Sequence, residues 1–89
     1  MQNPDIKTAV QIYYTKPEIV TDDIVELFSV GKSTAQKLKN KVREEMARQG
    51  VKVWLPYSVN TKVAYKVWGL DITDLESRLK KLQRLGMET

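Results

Sequence analysis

Residues 32–41, KSTAQKLKNK, concentrate side chains that donate and accept hydrogen bonds at helical spacing. Lys32, Ser33 and Thr34 bring an ammonium and two hydroxyls. If a helix begins here, they also bring backbone amides without intrahelical acceptors, and such a set grips a phosphate. Gln36 and Asn40 carry primary amides of the kind that pair bidentately with adenine. Lys37 and Lys41 donate to guanine or to phosphate oxygens. Steps from 33 to 37 to 40 or 41 keep these groups on one helical face. The chemistry on offer is the reading of base edges and phosphates, with no bond made or broken.

A face like this must be held by a second element, and the preceding residues supply one. Thr21 reads as an N-cap, and Asp22 and Asp23 follow in a first turn where negative charge suits the helix dipole. Ile24, Val25, Leu27 and Phe28 form its apolar face. Ser29-Val30-Gly31 is the turn, with Gly31 expected in the left-handed conformation. Lys32 or Ser33 is expected to cap the longer helix, serine being the stronger cap. Ala35, Leu38, Val42 and Met46 then recur at steps of three, four and four, one face of an α-helix that ends at Gln49-Gly50. Ile24, Leu27 and Phe28 can pack on Ala35, Leu38 and Val42, and Ala35 is small enough for a close crossing. Residues 21–49 therefore have the form of a helix-turn-helix, which lays its second helix in the major groove of DNA. Glu44 and Glu45 lie beyond the first turns of that helix and keep its far end off the phosphates.

The flanking segments are shorter signals. Residues 1–8 are polar and expected to fray. AVQIYYT, residues 9–15, is β-branched and aromatic and is expected to form a strand or an extended arm with one of Tyr13 and Tyr14 facing inward. Lys16 precedes Pro17 and is biased away from helix. In VKVWLPY, residues 51–57, apolar Val51, Val53 and Leu55 alternate with Lys52, Trp54 and Pro56, as in a short strand ending at Pro56; a wing or a linker fits this place. Ser58 or Asn60 can cap a helix over Thr61–Trp68 with Val63, Ala64, Val67 and Trp68 inward, stopped by Gly69. A last helix, 73–86, begins at a Thr73 cap and ends at Gly86. Its Ile72, Leu75, Leu79 and Leu82 form an a/d-like stripe. The expected fold is mainly α: one helix-turn-helix domain over residues 1–89, with short β or extended segments and a C-terminal helix.

Charge is unevenly spread over the 89 residues. Residues 1–30 hold two bases and five acids, residues 31–66 nine bases and two acids, and residues 67–89 four of each, giving −3, +7 and 0 for the total of +4. A basic middle third attracts a phosphate backbone, or stands as a solvated basic helix with no nucleic-acid partner. The chain has no cysteine and no histidine. Disulfides, zinc fingers and thiol chemistry are thereby excluded, and most general-base and transition-metal chemistry loses its usual residue. No catalytic, cofactor or metal residue is expected, and neither is a small-molecule substrate. Apolar runs are too short to cross a membrane, and MQNPDIK lacks the apolar core of a signal peptide, so the expected compartment is the cytoplasm.

SVGKSTAQKL, residues 29–38, resembles the turn and second-helix segment common to many bacterial helix-turn-helix proteins. The longer stretch 20–72, VTDDIVELFSVGKSTAQKLKNKVREEMARQG followed by VWLPYSVNTKVAYKVWGLD, is similar to small excisionase-like or regulator-like proteins encoded beside integrases on phages and integrative elements of Gram-positive bacteria. The resemblance covers 53 of 89 residues. It implies sequence-specific binding of double-stranded DNA in transcriptional regulation or as an accessory to recombination. It departs in one respect: residues 51–60 contain no glycine for a wing turn.

Rival readings are weaker. Gly31-Lys32-Ser33-Thr34 resembles the end of a P-loop, but Glu26 stands where the first glycine belongs. Trp54, Tyr57, Tyr65 and Trp68 read as an aromatic core, stacking on bases being the alternative. The C-terminal stripe either packs back on the domain or pairs two copies in a homodimer, which would set two recognition helices about one DNA turn apart. The alternative function is a protein-interaction module of phage replication or packaging, in which the basic helix meets an acidic protein.

Overall fold

A computed structural model describes residues 4–86. Five helices and two very short strands follow in the order α1 (Ile6–Thr15), β1 (Glu18–Ile19), α2 (Thr21–Phe28), α3 (Lys32–Gln49), β2 (Val59–Asn60), α4 (Thr61–Val67) and α5 (Ile72–Arg84). The chain is mainly helical with a small antiparallel sheet, as expected from the sequence.

The segment 9–15 is not extended. It is the body of α1, which begins three residues before that window. Asp5 caps it, its carboxylate accepting from the Thr8 amide at 3.3 Å and the Thr8 hydroxyl at 2.5 Å. Ala9 and Ile12 are buried, with Ile6, Val10 and Tyr13 packed beside them. That spacing of three and four is helical, and packing against α5 and α4 overrides the β propensity of the individual residues. Tyr13 faces partly inward and Tyr14 outward, where its hydroxyl donates to the Glu76 carboxylate on α5. The frayed start expected for residues 1–8 falls partly on residues 1–3, outside the described residues; Ile6, Lys7 and Thr8 are helical.

The starts of α2 and α5 slide by one or two residues. Thr21 is the first helical residue of α2 rather than its cap. Asp23, at the third position, reaches back to accept from the Val20 amide at 2.9 Å, and this closes the end without a hydroxyl. Asp71, not Thr73, caps α5, its carboxylate accepting from the Thr73 amide at 2.9 Å. Asn60 caps α4, as one of the two residues expected there. Gly50 ends α3 at φ 71° and Gly86 follows α5 at φ 71°.

Segment 51–57 forms no strand. The ladder is one step later, with Val59 opposite Ile19 and Asn60 opposite Glu18. Val51 and Val53 still lean on the core, so the alternation marks which side chains turn inward along a loop. Ile19 and Val59 are fully buried, and the Thr61 amide and hydroxyl donate to the carbonyls of Pro17 and Lys16 at 3.1 and 2.6 Å. The ladder thus joins the chain just before α2 to the chain just before α4, bracketing α2 and α3.

The core runs through the middle of this arrangement. Ile24, Leu27 and Phe28 of α2 and Ala35, Val42 and Met46 of α3 are buried, with Ala64, Tyr65 and Trp68 closing the other side. Phe28 meets Trp68 edge-on at 5.3 Å between ring centroids. Tyr65 is 1% exposed and donates to the Ala9 carbonyl at 2.5 Å; burial, and secondarily Tyr13, push its hydroxyl well above the ordinary phenol range. Trp68 Nε1 donates to the Leu38 carbonyl at 3.3 Å, tying α4 to α3. Truncating Phe28 to alanine is expected to cost roughly 3–5 kcal/mol in urea unfolding, because it empties the junction of α2, α3 and α4.

Candidate nucleic-acid interface

α2 and α3 are joined by Ser29, Val30 and Gly31. The residue in the left-handed conformation is Ser29, at φ 53° and ψ 47°, while Gly31 is extended at φ −73° and serves as the N-cap of α3. The turn therefore reverses direction one residue after Phe28, sooner than a Gly31 kink would allow. Neither Lys32 nor Ser33 is the cap; they are the first two helical residues. The first helical hydrogen bond runs from the Ala35 amide to the Gly31 carbonyl at 3.0 Å, and no side chain caps the end. The amides of Lys32, Ser33 and Thr34 consequently lack intrahelical acceptors and open onto solvent together with the two hydroxyls.

All seven residues singled out from the sequence, Lys32, Ser33, Thr34, Gln36, Lys37, Asn40 and Lys41, are exposed. Ala35, Lys39, Val42 and Met46 take the opposite, buried face. Gln36 and Asn40 are already aligned: Gln36 Nε2 donates to Asn40 Oδ1 at 3.0 Å, and the Thr21 hydroxyl of α2 donates to Gln36 Oε1 at 3.2 Å. None of the ion pairs among the described residues engages Lys32, Lys37 or Lys41. From residue 32 to residue 43 the chain carries five bases and no acid.

The buried arc of α3 differs from expectation at one position. Leu38 is only half-buried, and Lys39 replaces it in the interior at 5% exposure. Lys39 stands four residues after Ala35 and three before Val42, which is the spacing of the buried face. Its stem fills that place and its ammonium donates to the Tyr57 carbonyl at 2.9 Å. Burial, and then Arg43, depress its pKa. One further turn along, Arg43 donates to the Pro56 carbonyl at 3.3 Å.

These two hydrogen bonds fasten the loop 51–58 to the flank of α3, and Glu18 fastens it from the other side. One carboxylate oxygen of Glu18 accepts from the Trp54 amide at 2.6 Å, and the other from the Leu55 amide and the Ser58 hydroxyl, both at 3.0 Å. Burial alone would raise the Glu18 pKa, but these three donors outweigh it and hold the carboxyl below its ordinary value. No local sequence pattern signals this clasp, because its members lie 36 to 40 residues apart. Lys39 is legible in principle from its spacing alone.

The expected aromatic core divides. Tyr65 and Trp68 are inside, whereas Trp54 and Tyr57 stand on the surface. The reason is the clasp: it turns the loop backbone inward to find donors and acceptors, so that the side chains at 54, 55 and 57 point away. Comparison with known proteins finds no matching family model, curated protein or solved structure.

Because the folded-state pKa of Glu18 is depressed, its stabilising contribution is complete above the unfolded-state value near 4.5 and is lost as pH falls through the lower folded value. Acid titration of unfolding, followed by circular dichroism, should show a stability loss beginning near pH 4.5. Glu18→Gln should flatten that part of the profile and lower stability at pH 7.

Proposed function

We propose that this protein binds double-stranded DNA in a sequence-specific manner, with α3 as the recognition helix of a helix-turn-helix and residues 32–41 in the major groove. The observation that carries the reading is the outer face of α3. It begins with uncapped amides and two hydroxyls, continues with aligned Gln36 and Asn40, and is flanked by lysines that none of the ion pairs among the described residues engages. Phosphates are attracted to the helix start and to Lys37 and Lys41, while the two amides are of the type that reads adenine. α2 supports this helix from behind through Ile24, Leu27 and Phe28, so the face is presented rigidly.

The cellular role follows from the resemblance of residues 20–72 to small proteins encoded beside integrases: a transcriptional regulator or excisionase-like accessory of a phage or integrative element. Either role gains affinity and specificity from a second copy on the same site, and α5 offers a means. Leu75 is buried, but Leu79 and Leu82 lie outside the core cluster on the same stripe, and Leu85 is exposed. Pairing of this end of α5 with a second copy would place two α3 helices on one duplex.

The test is a titration of labelled duplex, after selection of bound sequences from a random pool, across a salt series. Log affinity should fall linearly with log salt. Lys37→Ala/Lys41→Ala should weaken binding and reduce that slope by about 2, since each lysine neutralises one phosphate. Unchanged binding by this variant would remove α3 from the interface. For the pairing of copies, Leu79→Glu/Leu82→Glu should shift the sedimentation coefficient to that of a monomer without unfolding the chain.

A further inference from the structure

Among the described residues, three of the five exposed large apolar side chains lie within four positions of one another: Trp54 at 95% exposure, Leu55 at 55% and Tyr57 at 76%. Pro56 sits between them and is exposed as well. Water-exposed tryptophan on a mobile loop would call for little comment, but this backbone is held. Glu18 takes two of its amides, Lys39 and Arg43 take two of its carbonyls, and Ser58 closes the loop by donating to both Glu18 and the Leu55 carbonyl. A loop ordered before any partner arrives loses little further entropy on binding, so its apolar surface is available for affinity.

The surroundings state the charge of the partner. No acidic residue occurs between Glu45 and Asp71, and the charged side chains that line the same depression as Val53, Pro56 and Ser58 are Arg43 and Lys52. Glu18, the carboxylate bound to the loop, is occupied by its three donors. Arg43 lies between the loop and the face of α3 that carries Gln36 and Asn40, at steps of four and three along the helix. Lys32, Lys37, Lys41 and Arg43 thus carry positive charge along α3 toward the loop, with exposed Glu44 next to Arg43.

Resting on the DNA-binding reading of α3, we propose that the tip Trp54-Leu55-Pro56-Tyr57 is a second contact to the same duplex, an apolar wedge pressed into the minor groove beside the major groove that α3 occupies. Apolar side chains entering a minor groove unstack a base step and bend the helix axis, and this deformation generates preference for flexible steps without base-specific hydrogen bonds. Leu55 and Pro56 have the shape of the wedge, and Trp54 and Tyr57 cover the sugars on either side. The wedge differs from Lys37 and Lys41 in a measurable way. It adds affinity while releasing no counterions, so it leaves the salt slope alone.

The experiment uses the full chain and a duplex selected for binding. Affinity is measured by anisotropy across a salt series for the wild type, Trp54→Ala/Leu55→Ala and Lys37→Ala/Lys41→Ala. Acrylamide quenching of tryptophan emission is measured with and without duplex, with Trp54→Phe giving the signal of Trp68 alone. The loop variant should bind about tenfold more weakly at every salt concentration with an unchanged slope. Duplex should shield Trp54 from acrylamide. Wild-type affinity in the loop variant, with Trp54 equally quenchable in the complex, overturns the wedge; sensitivity of the same duplex to the lysine variant then shows that the α3 reading survives. Loss of self-association in the loop variant, with DNA affinity intact, also overturns it and assigns the tip to a second copy of the chain. Absence of duplex binding by the wild type removes both readings together. Since the altered side chains are exposed, circular dichroism of the loop variant should match the wild type.

Discussion

Two residues of antiparallel ladder hold this architecture closed. Ile19 and Val59 lie opposite each other with no exposed surface, and Glu18 is paired with Asn60. Everything between them, α2, α3 and the loop that follows, is a single excursion of the chain whose ends the ladder fixes. The same pairing puts Glu18 within reach of Trp54, Leu55 and Ser58. A strand this short contributes little hydrogen-bond energy of its own. Its effect is positional: the side chain of one ladder residue organises a loop that no regular element contains.

Buried polar groups follow the same economy. Asp23, Lys39, Ser58 and Thr61 are all interior, and no buried side-chain nitrogen or oxygen among the described residues lacks a partner. Each connects separate segments of the chain. Asp23 joins the Val20 amide to the Lys16 ammonium at 2.9 and 2.5 Å; the hydrogen bond and charge of Asp23 in turn raise the Lys16 pKa. Thr61 joins the start of α4 to the chain before β1, and Lys39 joins α3 to the loop. In a chain of 89 residues the apolar core is thin, and directional bonds of this kind fix the loops that burial alone would leave free.

Much of this is legible in the sequence wherever periodicity is long. The two helices around residues 29–31 and their facing apolar residues follow from spacing, as do α4, α5 and the exposure of the seven polar residues on α3. The misreadings have local causes. α1 is hidden because its period begins at Ile6, and the window 9–15 shows mostly β-branched and aromatic residues. Glycine takes the left-handed conformation at least cost, which favours Gly31, yet tertiary packing of Phe28 places the reversal at Ser29. Residue type alone assigns Trp54 and Tyr57 to the interior. The alternation within the loop sets Trp54 on the side of Lys52, but the carboxylate 36 residues away that holds this backbone is announced by no pattern within the loop.

The clasp on residues 51–58 also bears on how the chain withstands proteases. The loop displays lysine, tryptophan, leucine and tyrosine, the residues at which trypsin-like and chymotrypsin-like enzymes cut, and by surface area it is an inviting target. A protease, however, must draw several residues of backbone into its own cleft in an extended form. Here the amides and carbonyls that it would have to engage are already committed to Glu18, Lys39 and Arg43. Cleavage must wait for the loop to open, so the cutting rate reports the free energy of local opening rather than the accessibility of the side chains.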